Sequence, residues 1–394
     1  MSETKYGHLV KPLSVGGMDM EMQMAQEGIA MGAFAKGPGN ADQLVWLNGR
    51  DHLEGMQLNF TWGFYSGLGD WHTGLDPHIH PYPECLVFVG LDPTDITYLG
   101  AELEIALGEE LEVYTFDKPT VVVVPAGFPH CPLITKKVTS PKGFGFYLIS
   151  LGDEPETTWL GEGVSAEEIA MMQEMAAKRG MKLPMKLSVG EKRIKVSKTA
   201  KTMRKKYAHL VKPLRSTTML GPGTQMTEMM ARMEEAVKSG QKIDPAMLGL
   251  KGEVSPDVIA RYEEMIRSGL RMGPGNADQL VWMYGSDLEG LNLNFTWGFY
   301  SKPGIWHRGG GAHVHPVDEV LVFVGLDPTN IDYLGAELEI DMGKEHERYV
   351  FNKPTVVICP GGLPHLPLVT RWVDQPYSFY VIGLGAEHES PFVD

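Results

Sequence analysis

Cysteine is scarce in this chain of 394 residues: there are three, Cys85, Cys131 and Cys359. Their odd number and unpaired spacing argue against a disulfide framework and favour a reducing compartment. No stretch approaches the roughly 18 consecutive apolar residues of a membrane-spanning helix, and the first residues show no basic start followed by an apolar run. We therefore expect a cytoplasmic protein with no membrane partner.

Positive charge is also in deficit. Lysine and arginine number 35 against 50 aspartates and glutamates, so the formal net charge is −15 at neutral pH. A field of this sign repels phosphate backbones, and we expect no nucleic acid partner. Hydrophobic residues make up 43% of the chain and charged residues 22%, as in ordinary folded proteins. Because 394 residues exceed what one core usually organises, the length predicts two domains.

The sequence contains an internal duplication. The segment LVFVGLDPT begins at Leu86 and again at Leu321, and YLGAELEI begins at Tyr98 and again at Tyr333, in both cases 235 positions later. Farther upstream, YGHLVKPL at position 6 is echoed by YAHLVKPL at position 207. The two arm segments are closer together in the sequence than the two modules are. The second half therefore carries about 35 additional residues between its arm and its module.

The duplication divides the chain into five predicted parts: an N-terminal arm at 1–36, a first module at 37–160, a helical and basic linker at 161–206, a second arm with a helical insertion at 207–272, and a second module at 273–394. The modules consist of short segments rich in Val, Ile, Thr and aromatic residues, separated by turn signals, which is typical of an antiparallel sandwich or jelly roll. Helices are predicted outside the modules. A capping box at Ser165 and Glu168 opens one that ends near Gly180, and two more are predicted at 224–239 and 256–269.

Each module carries the same four residues that can bind a metal: His78, His80, Glu84 and His130 in the first, and His313, His315, Glu319 and His365 in the second. Positions two apart on a strand face the same side, so both histidines of each H-x-H pair should point into the barrel together with the glutamate. The last histidine follows a P-x-G-x-x-H turn and should close the site from the opposite sheet. Three imidazoles and a carboxylate bind Mn, Fe, Co, Ni, Cu or Zn. A hydrogen-bonded core histidine is the ordinary alternative for any one of them, but recurrence in register favours a metal site in each module.

These motifs resemble those of the cupin superfamily, and their doubling resembles its two-module members, the bicupins. HIHPYPE and HVHPVDE are similar to the first cupin motif, and PAGFPH and PGGLPH are similar to the second. The resemblance covers approximately residues 37–152 and 273–385. It implies a mainly β fold of tandem jelly-roll β-barrels with a helical linker and insertion. It also implies one divalent transition metal per module, with Fe or Mn expected and Ni, Co, Cu or Zn as alternatives, and a homo-oligomer.

Two departures from the cupin motifs bear on the reaction. Six positions before the first ligand, where glycine is usual, the chain has His72 and His307, each preceded by tryptophan. Either histidine could move protons beside the metal, or pack structurally against its tryptophan. Three positions before the H-x-H pair, where oxalate decarboxylases have arginine, the chain has Leu75 and Gly310, which weakens a match to that activity.

The two copies also differ from each other before their ligands. The second has Arg308 followed by three glycines, a flexible stretch beside a cation that could hold a substrate carboxylate. We therefore take His307, Arg308 and His72 as candidate catalytic residues. If only one module is catalytically active, the second is favoured.

Two functions of different classes remain open. The first is a metal-dependent enzyme whose small oxygenated substrate, a carboxylate, an enediol or a phenolate, chelates a mononuclear metal. It would be a dioxygenase if the ion passes electrons to O2, and a decarboxylase, isomerase or lyase otherwise. The second is a non-enzymatic bicupin that binds a metal or small ligand for storage or sensing. The repeated Trp-His pairs favour the enzyme.

Overall fold

The structure is a computed structural model that describes residues 4–15, 41–72, 77–178, 185–196, 205–214, 235–243, 277–306 and 312–390, with residues 232, 256, 259, 260, 263 and 393. The chain divides into two compact units. The first unit comprises Leu13–Leu214 and Asp327–Ile331. The second unit comprises Met1–Pro12, Arg215–Leu326 and Asp332–Asp394.

Strands dominate both units, which confirms the prediction of a mainly β fold. In chain order they are β1 (Val10–Pro12), β2 (Gln43–Asn48), β3 (Asn59–Tyr65), β4 (Gly69–Asp70), β5 (His78–Ile79), β6 (Glu84–Val89), β7 (Ala101–Leu107), β8 (Glu112–Phe116), β9 (Thr120–Val124), β10 (His130–Val138), β11 (Phe144–Ser150), β12 (Glu156–Gly161), β13 (Lys186–Ile194), β14 (Val211–Pro213), β15 (Gln279–Met283), β16 (Asn294–Tyr300), β17 (Gly304–Ile305), β18 (Glu319–Gly325), β19 (Ala336–Met342), β20 (Glu347–Phe351), β21 (Thr355–Cys359), β22 (His365–Val373) and β23 (Tyr377–Gly383). Short 3-10 turns occur at Gly7–Leu9, Leu13–Val15, Ala208–Leu210 and Gly285–Asp287.

The first unit is a sandwich of two sheets. One has six strands in the order β14-β9-β6-β11-β3-β2, and the other has the order β13-β12-β5-β10-β7-β8, with β4 paired to β10. The neighbours in the six-stranded sheet are antiparallel. Every residue of β6 and β11 is buried, because these strands are central in their sheet and both of their faces are covered.

The second unit has the same two-sheet arrangement, with a smaller second sheet among its described residues. Its six-stranded sheet has the order β1-β21-β18-β23-β16-β15, and its four-stranded sheet has the order β17-β22-β19-β20. The central strands are rich in Val, Ile and aromatic residues, which fit the pleated surface of a buried strand. Each unit therefore encloses its own core between two sheets.

A Trp-Tyr stack lies in the core of each unit at the same place in the repeat. The rings of Trp71 and Tyr65 stack at a centroid distance of 4.3 Å, and those of Trp306 and Tyr300 stack at 4.4 Å. The indole N–H of Trp71 donates to the Thr135 hydroxyl at 2.8 Å, so the one polar atom of the buried ring is satisfied. The tryptophan of each Trp-His pair is thus a core residue.

The two arms found by their sequence echo add the edge strand of each six-stranded sheet. Strand β1 pairs with β21 in the second unit, and β14 pairs with β9 in the first. In the second unit the Tyr6 hydroxyl donates to Glu345 at 2.8 Å, and the Tyr207 hydroxyl makes the matching bond to Glu110 in the first at 2.7 Å. The arms cover sheet edges that would otherwise expose unpaired backbone groups.

A glycine beneath the Tyr6 ring provides a test of how firmly the N-terminal arm is held. A Cβ atom on Gly343 would lie 2.2 Å from the Tyr6 ring, whereas a Cβ atom on Gly362 would meet nothing within 4 Å. Both have a positive φ, of 73° and 80°. Since alanine strains both backbones by about 1–2 kcal/mol, the difference between Gly343→Ala and Gly362→Ala isolates the clash. We expect Gly343→Ala to be less stable by roughly a further 1–2 kcal/mol.

Limited proteolysis and thermal melts of the two variants measure this difference. Gly343→Ala should be cut within the arm faster than Gly362→Ala, because the displaced ring loosens β1. Equal protection of the arm in the two variants would show that Tyr6 does not hold it.

The predicted linker helix is present as α1 (Ala166–Lys178). Its capping box forms as expected: the Glu168 N–H donates to the Ser165 hydroxyl at 3.1 Å, and the Ser165 N–H donates to the Glu168 carboxylate at 2.8 Å. Residues 232, 235–238, 256, 259, 260 and 263 are helical and residue 239 is in a turn, and the rest of the two predicted insertion helices lies outside the described residues. Among the described residues, no helix has the length and apolar character needed to cross a membrane.

Candidate metal centres

In the first unit, three histidines and a glutamate meet between the two sheets. His78 begins β5, and His130 begins the neighbouring strand β10 directly opposite it. The candidate ligand nitrogens of His78, His80 and His130 all lie within 4.8 Å of one another. Glu84 comes from the other sheet, and its Oε1 lies 3.1 Å from His130 Nε2 and 3.5 Å from His80 Nε2.

This arrangement corrects one expectation. The last histidine was expected from the sheet opposite the H-x-H pair, but His130 lies in the same sheet as His78 because β10 is the antiparallel neighbour of β5. The glutamate is the residue that closes the site from the opposite sheet. The same holds in the second unit, where His313 and His365 form a backbone bridge and Glu319 begins β18 of the other sheet.

The residue between the two histidines of the first pair faces away from them. Ile79 packs against a small apolar cluster formed by Ala106, Leu111, Leu160 and Ile194. Alternation along the strand therefore sends the imidazoles of His78 and His80 to one side and the apolar side chain to the other.

The four corresponding side chains of the second unit are also closely packed. His313 Nε2 lies 2.9 Å from His365 Nε2 and 3.1 Å from His315 Nε2. The Oε2 atom of Glu319 lies 3.2 Å from His315 Nε2 and 3.3 Å from His365 Nε2. All four side chains are buried.

Backbone carbonyls fix which nitrogen faces the centre in four of the six rings. The Nδ1 contacts are His80 to Glu156 O at 2.7 Å, His130 to Phe128 O at 3.2 Å, His315 to Glu389 O at 2.7 Å and His365 to Leu363 O at 3.1 Å. A carbonyl oxygen only accepts, so each of these Nδ1 atoms donates, and in the neutral ring Nε2 is left with a lone pair. Lone pairs that face one another and a carboxylate at about 3 Å fit a bound cation, and carbonyl-oriented imidazoles are typical of metal ligands.

The charges at the centres also suit a cation. Burial acts to raise the pKa of the Glu84 carboxyl, but the adjacent His80, His130 and His78 outweigh it and lower the pKa to about 2. The pKa of Glu319 lies well below its ordinary value because His315 and His365 likewise outweigh burial. Burial lowers the pKa of His80, whereas Glu319 overcomes burial and raises the pKa of His315. Each centre therefore holds an ionised carboxylate away from water.

Of the three candidate catalytic residues, His72 is the one among the described residues. Its ring lies 5.2 Å from that of His78 and 5.9 Å from that of Trp159, measured between centroids. Its backbone N–H donates to Asp70 at 3.0 Å. Trp71 packs into the core, whereas the neighbouring His72 lies beside the group of candidate metal ligands. The other two candidates, His307 and Arg308, lie outside the described residues, as do Leu75 and Gly310.

Sequence reasoning missed two side chains at the second centre. His388 joins His315 and Glu319 in one group of candidate ligands, and Cys359 joins Glu319 and His365 in another. The equivalent positions of the first repeat are Pro155 and Val124. Recurrence in both halves was the signal that identified the ligands, so it could not identify residues present in only one half, although an alignment of the two tails shows the unmatched histidine.

No protein family matches the sequence, and no curated protein matches it. Among solved structures, the oxalate decarboxylase of Bacillus subtilis at pH 4.6 is similar, with 10% identity and a TM-score of 0.46. A structure of the same enzyme used to assign its Mn(II) centres has 10% identity and a TM-score of 0.45, and an arginine-to-alanine variant has 11% and 0.46. Each match covers 89% of this chain and 74% of the other. Identities and TM-scores this low do not show that this chain shares the activity of those proteins.

The fold and the two centres define a chain of two β-sandwich units, each with a largely buried group of three histidines and one glutamate able to hold one metal ion.

Proposed function

We propose that this chain is a metal-dependent enzyme of the bicupin type that acts on a small oxygenated organic molecule, a carboxylate, an enediol or a phenolate. The observation that carries the proposal is the convergence, in both units, of imidazole Nε2 atoms and one carboxylate around a single point between two sheets. The doubled H-x-H, glutamate and P-x-G-x-x-H motifs support the bicupin assignment.

The ligands would be His78, His80, Glu84 and His130 in the first unit, and His313, His315, Glu319 and His365 in the second. A set of imidazoles and a carboxylate without thiolate suits Mn or Fe, with Ni, Co, Cu or Zn as alternatives. When bound, such an ion supplies Lewis-acid polarisation of substrate oxygens and, if it is redox-active, electrons for O2. Four protein donors leave positions for substrate on an ion that prefers about six ligands.

The surrounding side chains orient the ligands, limit water and offer a group for proton transfer. The Glu156 and Phe128 carbonyls hold His80 and His130 in the orientation that directs Nε2 inward. The Trp159 ring lies 4.9 Å from that of His78 and shields this side of the site from water. His72, beyond the ligand set, would accept or return a proton on a substrate bound beside His78.

In the second unit, we assign the corresponding proton transfer to His307 and the binding of a substrate carboxylate to Arg308. The guanidinium group suits a carboxylate because it can donate two parallel hydrogen bonds. With proton transfer alone the chemistry is decarboxylation, isomerisation or elimination. With O2 as co-substrate it is dioxygenation.

A specific observation favours the non-enzymatic alternative, a storage or sensor protein in which the metal braces the barrel. The side chains of His130 and Glu84 are only 1% and 3% exposed, which suits the closed coordination of a structural metal site. The two functions differ in whether a bound ligand is chemically changed.

The experiment is turnover by the metal-loaded chain against a panel of small dicarboxylates, enediols and catechols, in air and without O2, with products identified by mass spectrometry. The enzyme proposal expects consumption of one compound class, loss of that activity on metal removal, and strong loss in His72→Ala or His307→Ala. Continued turnover without O2 would assign the decarboxylase or lyase type. Full metal occupancy with every compound recovered unchanged would favour storage or sensing.

A further inference from the structure

The two ligand glutamates are held differently at their outer oxygens. In the first unit the Ser150 hydroxyl donates to Glu84 Oε2 at 3.1 Å, while Glu84 Oε1 faces the histidines. The residue opposite Glu319 in the same register is Gly383, which has no hydroxyl to donate. The second centre has therefore lost the side-chain donor that holds the carboxylate of the first.

A different side chain stands beside that oxygen in the second unit. His388 Nδ1 lies 3.8 Å from Glu319 Oε1, the oxygen turned away from His315 and His365. Its equivalent in the first unit is Pro155, which offers no donor. At the outer oxygen of the ligand glutamate, the second unit thus has a histidine in place of the serine hydroxyl of the first.

The missing side chain at position 383 also shapes the loop that presents His388. A Cβ atom on Gly383 would lie 2.6 Å from the Nδ2 atom of Asn294. In the space that glycine leaves, this buried amide donates to the carbonyls of Gly385 at 2.9 Å and Glu387 at 3.3 Å. The two bonds tether the segment immediately before His388.

The His388 ring is also confined from its sides. Its centroid lies 4.8 Å from that of Trp282 and 4.7 Å from that of His315, and its side chain is 16% exposed. The next residue, Glu389, accepts the hydrogen bond from His315 Nδ1 at 2.7 Å. The same loop therefore orients one ligand through its backbone and approaches another through its side chain.

We propose that His388 is a positioning residue of the second metal centre, whose Nδ1–H replaces the Ser150 hydroxyl as the donor that holds the outer oxygen of the ligand glutamate. A small rotation of the ring closes the remaining gap of about 1 Å to hydrogen-bond distance. The proposal rests on the metal site of the proposed function. It makes the two centres unequal, since one glutamate is held by a hydroxyl within the sheet and the other by an imidazole on a loop.

The test measures Mn(II) affinity and the Mn(II) electron paramagnetic resonance spectrum of the second centre, in full-length chains that carry His78→Ala to silence the first. His388→Ala should weaken Mn(II) binding by about 10–100-fold, as is usual when a residue that orients a ligand is removed. His388→Gln retains an N–H donor and should recover most of the affinity. Ser150→Ala, its counterpart at the first centre, should leave the second unchanged, as should His346→Asn at an exposed histidine.

Unchanged affinity and an unchanged spectrum in His388→Ala would overturn the proposal. A second pair of results would also overturn it: equal losses of affinity in His388→Gln and His388→Ala, together with the loss of one nitrogen hyperfine coupling. His388 would then be a ligand itself. Since neither readout involves a substrate, failure of this inference is distinct from failure of the proposed function, which would appear as normal metal binding without turnover.

Discussion

Replacement of His313 by alanine is expected to remove the metal of the second unit and spare that of the first, and replacement of His78 is expected to do the reverse. The wild-type chain should retain about two equivalents after dialysis, and each variant should retain about one. The physical reason is that each ring supplies one of four donors within a buried group. His313 Nε2, for example, faces both His365 and His315 at close range.

Elemental analysis of the dialysed proteins makes this measurement, with circular dichroism as a check that each variant folds. The control is His346→Asn, which removes an exposed histidine of the second unit and replaces it with a residue that tolerates its positive φ of 50°. It should keep both equivalents. Retention of two equivalents by both alanine variants would refute the metal centres.

The second large effect is on stability. Trp71→Ala and Trp306→Ala should each lower the free energy of unfolding of their unit by about 3–5 kcal/mol, because each removes a fully enclosed indole and leaves a cavity. The two rings are 1% and 3% exposed. Each alanine also removes the donor to a buried hydroxyl, Thr135 or Thr370, bonded at 2.8 Å.

Urea unfolding of the variants tests this expectation. Trp372→Ala is the matched control, because that indole lies on β22 with 44% of its surface exposed, and it should cost less than about 1 kcal/mol. If the buried and exposed substitutions destabilise equally, the Trp-Tyr stacks are not central to the cores.

Much of the fold could be predicted because the two halves carry the same periodic signals. Short β-branched segments predicted the strands, and the Ser165 capping box predicted where α1 begins. The echo of YGHLVKPL identified both arms, but not the sheets they join. That choice depends on which edge strand is open to pairing, which is a tertiary property, and β1 pairs with β21 of the second unit.

The ligands of the candidate site could be predicted more fully than the residues around them. The parity of His78 and His80 follows from strand geometry alone, whereas the sheet that contributes His130 does not, since a turn motif shows where a strand starts and not its neighbour. His388 escaped notice for a related reason: it is brought to Glu319 by the loop after β23, and no spacing rule connects positions 319 and 388.

Anomalous diffraction from crystals of the chain grown with Mn(II), recorded on both sides of the manganese absorption edge, tests the central claim most directly. The account predicts two manganese peaks per chain, one among His78, His80, Glu84 and His130 and one among His313, His315, Glu319 and His365, each about 2.0–2.3 Å from its imidazole nitrogens. Peaks confined to the protein surface, or neither group occupied, would contradict it.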